Sequence, residues 1–200
     1  MTNKMERSPI DELSQLENEA KLRLRTGASR RGFIREIQAL VLPSFEDHRA
    51  YELMLSTPRA TTPLQERPTG TSADNSSVLA VRTIWRKSID VEKFRDPVER
   101  LRHGVSVRLQ PTIEEADANV AREQLAALLF RATTLAVPPH IPDSGVGLDG
   151  TTYELVFGRL FVQARFQWWC DAPAGWEPLA ALLQEIERLV ENAIGSTKYF

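Results

Sequence analysis

Hydrophobic positions recur most regularly toward the C-terminal end of the chain. Leu179, Leu182, Leu183, Ile186, Leu189, Val190 and Ala193 fall at i, i+3, i+4 and i+7 spacing and form the stripe of one amphipathic helix. Pro178 suits its first turn, where a missing N–H is not needed, and Gly195 is its predicted stop. Upstream, residues 151–157 and 160–169 are rich in strand formers, and Gly158-Arg159 between them predicts a two-residue type II′ turn. That turn sets Phe157 opposite Leu160, Leu155 opposite Val162, Tyr153 opposite Ala164 and Thr151 opposite Phe166, all on one apolar face. Thr152, Glu154, Val156, Phe161, Gln163 and Arg165 share the other face. The helix is expected to cover the apolar side, and further strands are needed because an isolated hairpin is marginal.

The same patterning extends through the rest of the chain. Ser8-Pro9-Ile10-Asp11 reads as a helix start, with Leu13, Leu16 and Ala20 on its apolar stripe and Gly27 near its end. Ser29 is the expected cap of a second helix that buries Phe33, Ile34, Ile37, Leu40 and Val41, and Ser44 opens a third that reaches about Leu55. Residues 57–77 hold Pro58, Pro63 and Pro68 among many Ser and Thr, the composition of a flexible linker. Beyond it, residues 78–87 and 105–110 read as strands, with short helical pieces at Asp90 and Asp96. Thr112 and Glu115 form a capping box before a helix carrying Ile113, Ala116, Val120, Leu125, Leu128 and Leu129. Residues 133–137 are a candidate for one more strand. The expected fold is α+β: an antiparallel sheet of four or five strands with helices on one face, plus an N-terminal helical unit. The expected division is 1–56 helical unit, 57–77 linker and 78–200 α+β domain.

Composition narrows the function classes. A hydrophobic share of 42% with 26% charged residues is that of a soluble globular protein, so no membrane span is expected. A formal charge of −2 gives no global attraction to nucleic acid or anionic membranes. One cysteine excludes an internal disulfide framework and a multi-cysteine metal site. Residues 1–10 lack the apolar core of a secretory signal, which points to the cytoplasm.

Four local features carry candidate chemistry. Cys170 would need His103 or His140 beside it to act as a nucleophile, and a half-buried cysteine at a strand end is the plainer assignment. The three histidines are isolated, so no metal is expected, and no phosphate-loop or dinucleotide pattern points to a cofactor. Lys21, Arg23, Arg25, Arg30, Arg31 and Arg35 cluster around the end of the first helix; Arg23, Arg25, Arg30 and Arg31 are the candidates for contacting phosphates or an acidic partner. Trp168 and Trp169 must face opposite sides of a strand, leaving Trp169 and Trp176, with Arg165 and the Pro-flanked His140, as a candidate partner surface.

The run Asp149-Gly150-Thr151-Thr152-Tyr153-Glu154-Leu155, then Phe166-Gln167-Trp168-Trp169, then Pro173 and Trp176-Glu177-Pro178-Leu179 before a Leu-rich helix resembles a motif of small uncharacterised bacterial proteins. It covers about the last quarter of the chain, implies a strand-strand-helix unit and a bacterial source, and carries over no catalytic residue. The leading expectation is a bacterial protein-binding module, with an immunity or antitoxin-like role as its concrete form. A small hydrolase built on Cys170 and a nucleic-acid-binding accessory protein built on the arginines are the alternatives.

Overall fold

The computed structural model describes residues 9–57, 77–95, 110–138, 149–159 and 162–197. Six strands form one antiparallel sheet in the order β4-β3-β2-β1-β5-β6. They are β1 (Phe33–Pro43), β2 (His48–Ser56), β3 (Val78–Trp85), β4 (Ile113–Val120), β5 (Thr151–Arg159) and β6 (Val162–Trp169). The helices among the described residues are α1 (Pro9–Thr26), α2 (Lys87–Arg95), α3 (Arg122–Thr134) and α4 (Glu177–Thr197). The class is α+β as expected, with six strands rather than four or five.

Helices cover both faces of the sheet, not one. The C-terminal stripe is as predicted: Leu179, Leu182, Leu183, Ile186 and Val190 of α4 are buried against Ile37, Ala39, Tyr51, Leu53, Ala80 and Leu155. On the opposite face, Leu16, Ala20 and Leu24 of α1 pack on Leu40, Leu42, Ala50 and Trp85. Gly195 does not stop α4, which runs on to Thr197.

The predicted second and third helices are β1 and β2. A sheet covered on both faces makes both sets of alternating positions apolar, so the period-two signal disappears from sequence. A bulge between Arg35 and Ile37 breaks the phase further. β2 pairs with β3 from Leu55↔Val78 to His48↔Trp85, so strands from both sides of residues 57–77 join one sheet. The predicted helix at Thr112 begins instead as β4, and the helical stretch starts only at Arg122. Thr112 does not cap it: its hydroxyl donates to Asp90 Oδ1 at 2.5 Å. Residues 133–137 hold the end of α3 and irregular chain rather than a strand. The proposed strand at 105–110 and nearly all of the proposed linker lie outside the described residues.

The closing hairpin keeps its predicted faces but not its register. Phe157 pairs with Ala164, Leu155 with Phe166 and Tyr153 with Trp168. Each partner lies four residues further along than the Gly158-Arg159 turn requires. An even shift leaves every side chain on its expected side. Gly158 is instead a strand residue with φ 106°, where a Cβ would run into the Val162 carbonyl oxygen. That close approach, rather than the turn, is what requires glycine.

Candidate binding surface

The predicted basic patch lies at the C-terminal end of α1, where most of its charge is used internally. Gly27, at φ 77°, closes the helix by donating to the Arg23 carbonyl at 2.9 Å. Arg35 Nη1 donates to the Arg25 and Thr26 carbonyls at 3.1 and 3.2 Å, and Gln38 Nε2 donates to the Leu24 carbonyl at 2.9 Å. These side chains from β1 satisfy carbonyls that a helix end leaves unpaired. Glu52 of β2 completes the dock, accepting from Arg35 at 3.0 Å and from the Ala28 N–H at 2.8 Å. Burial pushes the Glu52 carboxyl above its ordinary range.

Arg25 Nε donates to Glu154 Oε1 of β5 at 3.0 Å, and this hydrogen bond holds the guanidinium pKa up. Arg23 pairs with Glu19 at 2.9 Å, and Arg30 with Glu115 at 3.0 Å and Asp117 at 3.4 Å. Arg31 is exposed. Arg23, Arg25 and Arg30 thus face carboxylates already, and a phosphate would have to displace them.

The aromatic corner separates into core and surface. Trp168 stacks on Tyr153 with centroids 5.5 Å apart and meets Trp176 edge-on at 6.3 Å. Trp176 is only 9% exposed. Its Nε1 donates to the Pro138 carbonyl at 3.3 Å, and Phe166 stands edge-on to its ring. Trp176 therefore belongs to the packing at the start of α4, contrary to its expected place on the contact surface. The sequence alone could not show that the corner folds back over β6. Trp169 points to the opposite face, half-buried beside Gly150, where a Cβ would strike its ring and the Cys170 sulfur.

Cys170 is exposed, in the left-handed region at φ 53°, with its sulfur 4.0 Å from the Asp149 carbonyl oxygen. His103 and His140, its proposed partners, lie outside the described residues. His48 is buried edge-on to Trp85 at 4.9 Å, with Nε2 donating to the Pro43 carbonyl at 2.9 Å. Burial, with Lys87 and Lys21 nearby, lowers its pKa to about 4 and keeps it neutral. Among the described residues no three His, Cys, Asp or Glu side chains are grouped to hold a metal ion. No helix among them is long and apolar enough to cross a membrane.

β6 is where the sheet meets solvent. Val162 is 82% exposed, and Gln163, Ala164, Arg165 and Gln167 are also exposed. On the α1 side, exposed Arg165 lies opposite buried Val156, and exposed Gln167 opposite buried Glu154. Covering thus ends abruptly between β5 and β6. The other edge strand, β4, is exposed differently: Glu114 pairs with Arg86 at 2.6 Å, and Glu115 and Asp117 pair with Arg30. Sequence reading found Arg165 and Trp169 but missed Val162, Gln163 and Gln167. The signal present was a last strand carrying Gln and Arg on one side and only Val, Ala and Phe before Trp168 on the other. A shallow apolar groove also runs between α3 and α4, lined by Arg131, Leu135, Pro178, Ala181 and Leu182. No family model, curated protein or solved structure matches the chain.

Proposed function

We propose that this chain is a protein-binding module and that the α1-side face of β6, with Gln163, Arg165, Gln167 and Trp169, is its contact surface. The observation that carries the reading is the change from buried to exposed between paired residues of β5 and β6, Val156 to Arg165 and Glu154 to Gln167. An arginine and a half-buried tryptophan on a rigid strand combine the residue types that dominate binding energy at protein interfaces. The strand holds them in fixed positions, so little side-chain order has to be created on binding. An immunity or antitoxin-like role in a bacterial cell is the concrete form of such a module, acting by occupying the surface of another protein.

Affinity capture from the native host tests the reading with the wild-type chain beside Arg165→Glu and Trp169→Ala. The expected result is selective loss of one or more captured proteins from the Arg165→Glu sample, with unchanged circular dichroism and melting temperature. Equal capture by all three folded chains overturns the assignment of this surface.

A further inference from the structure

We infer that β6 pairs edge to edge with β6 of a second copy of this chain, antiparallel about a two-fold axis at Ala164, which joins two six-stranded sheets. This rests on the reading of β6 as the contact strand and names the partner at its edge. Among the described strands β6 has one neighbour, β5. The Cys170 N–H donates to the Thr151 carbonyl at 2.8 Å, which fixes the alternation of ladder bonds along the strand. Val162, Ala164 and Phe166 turn their N–H and C=O groups toward β5, and those of Gln163, Arg165 and Gln167 point outward. Such a row of outward groups is a template for another strand.

Charge selects the occupant. β4, the opposite edge, carries Glu114, Glu115 and Asp117, each already paired to an arginine of its own chain. Charged edges of this kind resist strand addition. β6 holds one charged residue, Arg165, and no proline. Pairing β6 onto β4 of another copy would leave a free edge at each end and grow an open filament, whereas a two-fold β6 pair closes.

The register follows from the same residues. An axis at Ala164 sets Gln163 of each copy against Arg165 of the other in the hydrogen-bonded positions. On the α4 side it sets the exposed Val162 against Phe166 and Ala164 against itself. An axis at Arg165 would oppose two like charges, which is unfavourable. An axis at Phe166 would carry Val162 opposite Cys170, beyond the end of β6. The two α1-side faces then lie side by side, giving a doubled contact surface.

Sedimentation velocity of the full chain over a range of concentrations tests the pairing, beside Arg165→Pro and Val162→Lys. Proline at position 165 removes an outward N–H that β5 does not use, so the hairpin keeps its ladder. Val162→Lys tests the same edge without a backbone change, should the proline variant not fold. The expected result is a wild-type dimer that each folded variant weakens by about tenfold, because every substitution acts twice across the axis. Ala164→Cys, in a chain with Cys170→Ser, is expected to form a disulfide-linked dimer on oxidation. Directly opposed residues at a non-hydrogen-bonded position stand about 4.5 Å apart at Cα, within disulfide reach. A wild-type chain that stays monomeric, or a dimer that Ala164→Cys does not cross-link, overturns the proposal. A monomer whose captured proteins are still lost with Arg165→Glu overturns only the pairing. A monomer with unchanged capture overturns the contact reading as well.

Discussion

At the β4 end of the sheet, Asp90 accepts from Trp85 Nε1 at 2.8 Å and from the Thr112 N–H at 2.8 Å, and His48 stands edge-on to the same tryptophan. At the β6 end, Trp168 lies between Tyr153 and Trp176, and Phe166 meets Trp176. Directed polar bonds that include titratable groups thus tie the chain just before β4 to β3 and α2, while Ala116, Ala118 and Val120 of β4 itself join the core; the β6 end is held by aromatic packing. The outer surfaces differ in the opposite sense. β4 is lined with paired charges, and β6 is almost free of them. A strand that must accept a partner keeps its edge uncharged and takes its support from behind, whereas a strand that must refuse partners carries its charge outside.

The largest effect that would test this contrast is expected from Trp168→Ala. Removing a side chain that is 6% exposed and packed on two other aromatics should cost about 4 kcal/mol in urea unfolding. A loss below about 1 kcal/mol would show that the stack does not support β6.

Acid should act on the other end. The pKa of His48 is about 4 in the folded chain, below its ordinary value of 6.5. The unfolded chain therefore takes up the proton first as pH falls. The stability contribution of neutral His48 is complete above 6.5 and is lost progressively as pH falls toward 4, about 3 kcal/mol in all. The raised pKa of Glu52 works in the opposite sense: its contribution is largest in acid and is lost as pH rises through its folded value, which offsets part of the loss. Unfolding curves of wild type and His48→Gln across this window should converge in acid. Parallel curves would mean that His48 is not the group responsible.

Smaller effects should follow from the polar bonds themselves. Asp90→Ala strips acceptors from the Trp85 indole and the Thr112 amide and should cost about 2 kcal/mol, while leaving the fluorescence of the Trp168–Trp176 pair unchanged. At the surface, Arg23→Ala breaks an i,i+4 pair and should change stability by no more than about 0.5 kcal/mol. A larger change would give the basic cluster a structural weight that its exposure does not suggest.

Legibility in the sequence followed how many sides of an element are covered. α4 is covered on one side only, so its stripe stood out at helical spacing; the hairpin faces were readable because β6 is open on its α1 side, although β5 is buried on both. β1 and β2 lie between α1 and α4, and their polar positions, Arg35, Gln38 and Glu52, serve the distant end of α1 rather than solvent. Their purpose depends on a tertiary contact, and without it the stretch imitates a helix. β4 misled differently: Ile113, Ala116 and Val120 have helical spacing by coincidence, and Thr112 serves Asp90 instead of a cap. Of the candidate site, Arg165 and Trp169 were readable from alternation. The bond from Trp176 to Pro138 and the pairing of Arg25 with Glu154 and of Arg30 with Glu115 were not, because those partners lie far away in sequence, whereas Arg23 pairs with Glu19 one turn back on its own helix.

Residue-resolved amide hydrogen exchange of the intact chain, at low and high concentration, tests the role of β6 most directly. The outward amides of Gln163 and Arg165 are predicted to slow as concentration rises, while those of β4 keep their rates. Exchange at Gln163 and Arg165 that stays fast at every concentration, or slowing that appears on β4 instead, would contradict β6 as the binding strand.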